Sequence, residues 1–355
     1  MNKDYYLIPN DIKISKKDNK YNKFRVKLGF ASDLDYRFLS VLEENKNNEL
    51  TYKENLDVFN LKNLSKSTLL KYPDLKKRTK KISKKKSLLK DPSKKNPLIM
   101  GILNVTEDSF YDGGQFFKQE NALAQAEKLI LAGADIIDVG GESTRPGSSP
   151  IKVEEEIKRV VPLIKILSKN KVIVSCDTRN SKTMRYALDA GASIINDISG
   201  LNHDKETLNV IKKYNCSYVL MHSVKTPLTM QNNPIYKNVT CDIYSFFKKK
   251  ILMLKNNNIS MDNIILDPGI GFGKTDIHNF SILENLSIFL DLNLPILVGL
   301  SRKSFIQNFI NENKSKTLPC SITLALSSYL KGANILRVHD VKETLDAINI
   351  LKKTN

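Results

Sequence analysis

Residues 98–114 read LIMGILNVTEDSFYDGG, an apolar run that is followed at once by polar side chains and a glycine pair. Leu98–Leu103 is small and apolar throughout, which is the pattern of a strand buried on both faces. Hydrogen-bonding side chains then follow without a linker: Asn104, Thr106, Glu107, Asp108 and Ser109. A surface turn and the mouth of a functional site would both produce this pattern, so the rest of the chain must decide between them.

The same pattern recurs seven more times along the chain. The eight apolar runs are LIMGILNV, DIIDVGG, VIVSCDT, SIINDIS, YVLMHS, IILDPGI, PILVGLS and NILRVH. Between them lie amphipathic stretches such as NALAQAEKLILAG, whose apolar residues have helical spacing and whose last residue, Gly133, is a typical helix end. Eight βα units between residues 97 and 352 predict a (β/α)8 TIM barrel, an α/β fold that needs roughly 250 residues. A doubly wound open sheet is the alternative, but no G-x-G-x-x-G follows the first run.

Residues 1–96 differ from the regular pattern that follows them. We predict an accessory N-terminal segment over 1–96, of unknown role, and a barrel domain over 97–355. The stretch DYRFLSVLEE, residues 35–44, is expected to begin a helix. Residues 76–95 contain 11 Lys and Arg and one Asp, and thus supply +10 of the net charge of +18. Because like charges repel and stay solvated, this Lys-rich extension is expected to be a flexible linker.

Composition excludes several classes of function. The four cysteines are scattered without a C-x-x-C pair, which argues against a disulfide framework or a structural zinc site. The N-terminus has no apolar signal region, and no run approaches the ~20 apolar residues of a membrane helix. The basic stretch 76–95 has no interleaved aromatic residues, so we expect no nucleic-acid partner. A cytoplasmic protein without membrane contact is expected.

Cationic side chains follow three of the predicted strands. In a (β/α)8 barrel, functional residues lie at the carboxyl ends of the strands. Arg145, Lys303, Arg337 and His339 follow the second, seventh and eighth runs. Such side chains suit the phosphate oxygens of a substrate. Salt bridges on the rim of the barrel are the alternative.

Acidic and amide side chains end three other strands. Asp177, Asn196 and Asp267 close the third, fourth and sixth runs. Buried carboxylates need partners, and a flat heterocycle with an amino-amidine edge, such as a pterin, supplies paired N–H donors. Capping of the following helices by Asp177 and Asp267 is the alternative. His222, at the end of the fifth run, either lines the same pocket or is a satisfied core histidine, and we favour the core.

The motifs, taken in order, resemble those of the dihydropteroate synthase family. They are MGILNVTEDSFYDGG, DIIDVGGESTRPGSS, VIVSCDT, IINDISG, LMHS, IILDPGIGFGKT, ILVGLSRKSF and ILRVHDV. The resemblance covers about residues 97–352. It implies a transferase of folate biosynthesis, a target of sulfonamides, that condenses 6-hydroxymethyl-7,8-dihydropterin diphosphate with 4-aminobenzoate to 7,8-dihydropteroate and pyrophosphate.

The resemblance also implies a role for individual residues. The pterin ring would be held by Asp177, Asn196, Met221, Asp267 and Lys303. Asn104 would bind Mg²⁺ together with the diphosphate. Arg337 and His339 would hold the departing pyrophosphate, while Thr144 and Arg145 on the loop after the second strand would bind the diphosphate of the substrate.

The second substrate is assigned in the same way. Ser304 would receive the carboxylate of 4-aminobenzoate, and its slot would be walled by Phe110, Pro146 and Phe272. A dissociative, cation-like path is expected, with Asp177 or Asp108 stabilising the developing positive charge.

Two other functions remain as alternatives, a methyl transferase and a basic binding protein, and a homodimer is expected. A pterin-binding barrel that transfers a methyl group from a folate shares the Asp and Asn set, but it has no need of SRK and RVH as a phosphate clamp. A basic binding protein acting through residues 76–95 would lose its function on deletion of 1–96, whereas a synthase would keep its activity. Relatives in the family are commonly dimers, and TLPCSITLALSSYL, residues 317–330, is apolar enough to permit a homodimer.

Overall fold

The computed structural model describes residues 5–15, 25–31, 33–84, 86–89, 96–105, 115–143, 148–224, 233–313 and 316–354. It confirms the predicted (β/α)8 barrel. The eight parallel strands are β7 (Leu98–Asn104), β8 (Ile136–Gly140), β9 (Ile173–Asp177), β10 (Ile194–Asp197), β11 (Ser217–Met221), β12 (Ile264–Asp267), β13 (Leu297–Gly299) and β14 (Ile335–Val338). They pair in the order β12-β11-β10-β9-β8-β7-β14-β13, and a bridge between Leu266 and Ile296 joins the two outermost strands.

Nine helices follow these strands in the described chain. They are α3 (Gln115–Leu131), α4 (Val153–Lys169), α5 (Ser181–Asp189), α6 (Thr207–Tyr214), α7 (Val239–Asn256), α8 (Asp276–Glu284), α9 (Ser304–Ile310), α10 (Leu318–Leu330) and α11 (Val341–Thr354). Gly133 and Gly191 follow α3 and α5 with φ of +99° and +108°, as expected for glycines that end helices. Within the described residues, no helix has both the length and the hydropathy required to cross a membrane.

Apolar side chains fill the interior of the barrel at the end where the strands begin. One buried cluster is built mainly from the first residues of the strands, namely Leu98, Met100, Ile136, Ile194, Val219, Ile265, Leu297 and Ile335. Leu88, which precedes the barrel in the chain, is part of the same cluster and is 5% exposed. The bottom of the barrel is therefore closed by a residue from outside it, and the carboxyl ends of the strands form the opposite rim.

Residues 5–89, within the segment 1–96 that the sequence separates from the barrel, form a folded N-terminal module. Its elements are β1 (Tyr5–Asn10), β2 (Lys13–Ile14), β3 (Val26–Lys27), β4 (Leu34–Tyr36), β5 (Phe38–Glu44), β6 (Leu50–Asp57), α1 (Lys66–Lys71) and α2 (Leu75–Ser83). The strands make two three-stranded antiparallel sheets, β1-β5-β6 and β2-β4-β3. The helix predicted to begin within 35–44 is wrong, because β5 is paired on both edges and buries Leu39 and Val41 on one face.

The flexible linker predicted over residues 76–95 is wrong for its first half. Residues 75–83 are the helix α2, which buries Leu75 and Ile82. From the same helix, Arg78 pairs with Asp291, whose side chain is fully buried at the bottom of the barrel. The hydroxyl of Tyr244 donates a third hydrogen bond to Asp291 at 2.8 Å. Residues 85 and 90–95 lie outside the described residues.

A second polar junction ties the module to the last two helices. Asp33 accepts a hydrogen bond from the Tyr329 hydroxyl at 2.7 Å and pairs with the Lys352 ammonium at 2.8 Å. Together with Leu88 in the barrel interior, these contacts make the module part of one folded body with the barrel. The sequence predicts that a synthase keeps its activity when residues 1–96 are deleted, whereas these contacts predict that the deletion costs stability.

Candidate active site

One arginine bridges two buried carboxylates at the mouth of the barrel. Arg337, on β14, places Nε 2.7 Å from Asp138 Oδ2 and Nη2 2.7 Å from Asp177 Oδ2. The amide of Asn196, the register neighbour of Asp177, donates to Asp138 Oδ2 at 3.0 Å. Side chains from β8, β9, β10 and β14 therefore meet at one point, as the strand-end argument required.

Asp138 was not singled out from the sequence. It lies inside the apolar run DIIDVGG, two residues after Ile136, whose side chain belongs to the barrel interior. Because alternate strand residues share a face, Asp138 also points inward. A charged residue at an inward position of a buried strand is the signal that would have found it.

Several polar atoms of this cluster lack a partner. Asp138 Oδ1, Asp177 Oδ1, Asn196 Oδ1 and Ser175 Oγ are buried without a hydrogen-bond partner within the described structure. An unsatisfied buried acceptor costs about 1–3 kcal/mol. A ligand that presents several N–H donors would remove this cost.

The carboxylates of the site have perturbed acidities. Burial raises the pKa of Asp177, Arg337 opposes the rise, and the neighbouring charge of Asp138 adds to it. Burial also raises the pKa of Asp267, against the attraction of Lys303. The acids Asp138, Asp177 and Asp267 share this part of the barrel mouth with the bases Lys303 and Arg337. Ionisable groups with perturbed pKa values are typical of functional sites.

The turn after β12 places Asp267 next to the end of β11. The carbonyl of Asp267 accepts from the His222 N–H at 2.9 Å, and Oδ1 accepts from the Gly269 N–H at 2.7 Å. Gly269 has φ of +68°, and a Cβ there would lie 2.1 Å from the His222 carbonyl oxygen, so only glycine fits. Asn180 and Thr275 occupy the N-cap positions of α5 and α8. Asp177 and Asp267 therefore do not cap the helices that follow their strands.

Lys303 joins the turn after β12 to the turn after β13. Its ammonium donates to the Ile270 carbonyl and lies 4.6 Å from the centre of the Phe272 ring. Burial lowers the pKa of Lys303 to about 8, and Asp267 opposes this shift. Met221 is 2% exposed and is the register neighbour of Asp267. The structure therefore brings Lys303, Phe272, Met221 and Asp267 together, as the sequence argument placed them.

Three predicted site residues lie around this cluster. Asn104 is half-buried at the end of β7, where a Cβ added to Gly140 would lie 3.5 Å from both Asn104 Oδ1 and Asp177 Cβ. His339 places Nδ1 3.1 Å from the hydroxyl of Ser301. Ser304 is exposed in the first turn of α9. Phe110, Thr144, Arg145 and Pro146, and also Asp108, lie outside the described residues.

Two buried lysines predict how stability depends on pH. Burial lowers the pKa of Lys303 to about 8 and of Lys274 to about 7, from 10.5. Above these values and below 10.5 the unfolded chain binds more protons, so the free energy of unfolding rises with pH. Burial raises the pKa of Cys216 and Cys241, and their ionisation in the unfolded chain opposes this rise at higher pH. From pH 7 to about 8.5 we therefore expect denaturant titrations to give a slope of the unfolding free energy that is smaller in Lys274→Met than in the wild type, by up to one proton. The exposed control Lys353→Met should keep the wild-type slope. Equal slopes in all three proteins would contradict the prediction.

Comparison with known proteins identifies the barrel. Residues 100–339 match the family model described as pterin binding enzyme. The chain is 42% identical to dihydropteroate synthase of Escherichia coli K12 over 260 residues, which is 73% of this chain and 92% of that protein. The N-terminal module lies outside the matched family model.

Solved structures give the same result. A Yersinia pestis dihydropteroate synthase with a sulfonamide drug complex is 40% identical, has a TM-score of 0.69, and covers 73% of this chain and 94% of its own. A Xanthomonas albilineans dihydropteroate synthase with 4-aminobenzoic acid is 36% identical, with a TM-score of 0.69, and covers 73% and 93% of the two chains. A barrel with these relatives, and with acids, an amide and two bases gathered at its carboxyl-terminal mouth, belongs to the dihydropteroate synthase family of pterin-binding transferases.

Proposed function

We propose that this chain condenses 6-hydroxymethyl-7,8-dihydropterin diphosphate with 4-aminobenzoate, forming 7,8-dihydropteroate and pyrophosphate. The observation that carries the proposal is the buried set of unpartnered acceptors on Asp138, Asp177 and Asn196, bridged by Arg337. The amino-amidine edge of a pterin presents the N–H donors that these acceptors lack. Lys303 supplies N–H donors rather than acceptors, and these suit the carbonyl oxygen of the pterin ring.

The diphosphate needs more positive charge than this cluster holds. Asp138, Asp177 and Asp267 oppose Arg337 and Lys303, and with the neighbouring Lys274 the three acids and three bases only balance when all are charged. His339 and, by the resemblance, Thr144 and Arg145 are therefore proposed to bind the diphosphate. Arg337 can direct its remaining N–H groups to a phosphate while Asp138 and Asp177 hold its Nε and Nη2 in place.

Mg²⁺ fits the donor set as an ion carried by the substrate. Within the described residues, no group of three or more His, Cys, Asp or Glu is arranged to hold a metal. Mg²⁺ usually keeps several waters and binds one or two protein oxygens together with substrate phosphates. The half-buried amide oxygen of Asn104, beside Asp177, is the proposed protein ligand. When bound, the ion neutralises the diphosphate and makes it a better leaving group.

The reaction breaks the bond between the exocyclic carbon and the diphosphate oxygen, and forms a carbon–nitrogen bond to the aminobenzoate. Asp177 is proposed to stabilise the positive charge that spreads over the pterin as pyrophosphate leaves. The aromatic amine is neutral at pH 7 and needs no strong base. Phe272, with Phe110 and Pro146, is proposed to wall its slot, and Ser304 to bind its carboxylate.

Pyrophosphate release tests the proposal directly. With dihydropterin diphosphate and Mg²⁺, release should depend on 4-aminobenzoate, and chelation of the metal should stop it. Absence of aminobenzoate-dependent release from a folded protein would reject the function. A folate methyltransferase would bind the pterin without releasing pyrophosphate, so the same assay separates the two candidates.

We also propose that the enzyme works in the cytoplasm as a homodimer that uses the last barrel helices. The apolar composition of α10 and the exposed Ile350 on α11 support this. Light scattering at micromolar concentration should give twice the chain mass of 40.3 kDa, and a monomer would reject the assembly.

A further inference from the structure

Lys274 and His222 form a buried pair beside the site that none of the roles above explains. Lys274 is 3% exposed and His222 is 6% exposed. The Lys274 ammonium lies 3.1 Å from His222 Nδ1, 3.3 Å from the His222 carbonyl oxygen and 2.9 Å from the Phe272 carbonyl oxygen. An ammonium has three N–H donors and no acceptor, so these three acceptors account for all of its protons.

The pair fixes the protonation of the histidine. Because Nδ1 accepts from Lys274, the ring is neutral and carries its proton on Nε2. Burial lowers the pKa of His222 well below its ordinary value, and the charge of Lys274 lowers it further. The ring packs edge-on against Phe246, with 4.9 Å between centroids. One rotamer and one tautomer of His222 are thereby selected.

Lys274 also joins two segments of the barrel mouth. His222 follows β11, whereas Phe272 lies in the turn after β12. The Lys274 ammonium is shared between backbone carbonyls of both segments, so it holds the turn that carries Phe272 against the end of the neighbouring strand. The ring of Phe272 itself is half-buried under the Lys303 ammonium. The position of this aromatic wall therefore depends on Lys274.

The pterin-binding acid in the same turn is held by other bonds. The Asp267 carbonyl is fixed by the His222 N–H, and its carboxylate by the Gly269 N–H. Asp138, Asp177 and Asn196 lie on other strands. Loss of the Lys274 side chain should thus move the aminobenzoate wall more than the pterin-binding set.

We propose that Lys274 is a positioning residue for the second substrate, which fixes the Phe272 wall of the aminobenzoate slot through bonds to Phe272 and His222. This inference rests on the proposed function of the site. Removing the ammonium should raise KM for 4-aminobenzoate about tenfold, the effect of losing one hydrogen bond from a charged group. The affinity for dihydropterin diphosphate should stay within about twofold.

Lys274→Met tests the kinetic split. The assays are run at pH 6, because burial lowers the pKa of Lys274 to about 7 and the ammonium prevails below it. Calorimetry gives the affinity for dihydropterin diphosphate, and pyrophosphate release gives KM and kcat for 4-aminobenzoate. Lys331→Met is the control, since Lys331 is half-buried and, like Lys274, donates to a backbone carbonyl, that of Leu283, at 2.8 Å. An unchanged KM in Lys274→Met, or equal losses for both substrates, would overturn the proposal.

Nitrogen NMR of the wild-type protein provides a test that needs no folded lysine variant. The chain has four histidines, so the His222 signals can be assigned by their loss in His222→Phe. At pH 6 a neutral ring with the proton on Nε2 is expected. A protonated ring, or a proton on Nδ1, would overturn the proposal. Failure of the wild type to release pyrophosphate would reject the proposed function itself, whereas wild-type turnover with an unchanged KM in the variant would reject only the positioning role.

Discussion

Asp267→Ala and Lys303→Ala are each expected to weaken binding of dihydropterin diphosphate more than a hundredfold. Asp267 is 7% exposed, and Lys303 is the opposing charge that acts on it most strongly. Removing the lysine leaves the acid buried without that cation, and removing the acid deletes an acceptor for the N–H edge of the pterin. A lost hydrogen bond to a charged group costs about 1.5–3 kcal/mol, which is roughly a tenfold to hundredfold loss of affinity, and the unpaired partner adds to it.

Calorimetric titration of the folded variants measures this loss. An exposed acid–base pair of the same composition, Lys342 and Asp346 on α11 with 2.6 Å between Nζ and Oδ1, provides matched controls. Lys342→Ala and Asp346→Ala should bind the substrate within about twofold of the wild type, because exposed pairs contribute little. Wild-type affinity in both Asp267→Ala and Lys303→Ala would mean that the pterin pocket is elsewhere.

The strand-end rule predicts most of the described site, and its failures have a physical cause. Asp177, Asn196, Asp267 and Lys303 end predicted strands, and the barrel brings such ends together. Asp138 was not predicted as a site residue, because it precedes the strand end and interrupts an apolar run. Finding it requires knowing which face of β8 points inward.

Arg337 shows that local sequence does not predict the partners of a side chain. Its sequence position correctly predicts a cation on the rim, and phosphate was the partner expected for it. In the structure it pairs with Asp138 and Asp177, which the sequence did not predict. Which strand ends face each other depends on how the barrel closes, and β14 meets β7 only through pairing of residues more than 200 positions apart. Local sequence carries no signal for that pairing.

The fold of the N-terminal module could not be predicted from the sequence. Its strands are short, and its helix α2 reads as part of a uniform block of charge. Arg78 looks like any other of the 11 basic residues in that block. What distinguishes it is Asp291, which lies 213 residues away in the chain. A buried ion pair between distant segments cannot be recognised from composition, and composition alone therefore predicts a linker.

Removal of residues 1–96 is expected to destabilise the barrel severely. Asp291 would stay buried without Arg78, and breaking a buried ion pair by removing one partner costs about 3–5 kcal/mol. The apolar cluster that Leu88 closes would also face water. Since domains are stable by only about 5–15 kcal/mol, we expect the truncated chain to be insoluble or to melt roughly 10 °C or more below the full chain.

Point variants separate the ion pair from the rest of the module. Arg78→Met should lower the free energy of unfolding by about 3–5 kcal/mol, whereas Lys76→Met, an exposed position on the same helix, should change it by less than about 0.5 kcal/mol. Arg78→Met combined with Asp291→Asn should recover part of the loss, because no uncompensated charge then stays buried. A truncated barrel that melts with the full chain and still releases pyrophosphate with aminobenzoate would show that the module does not support the barrel. The module would then have to be explained by a binding partner, since its contacts with the barrel would contribute nothing to folding.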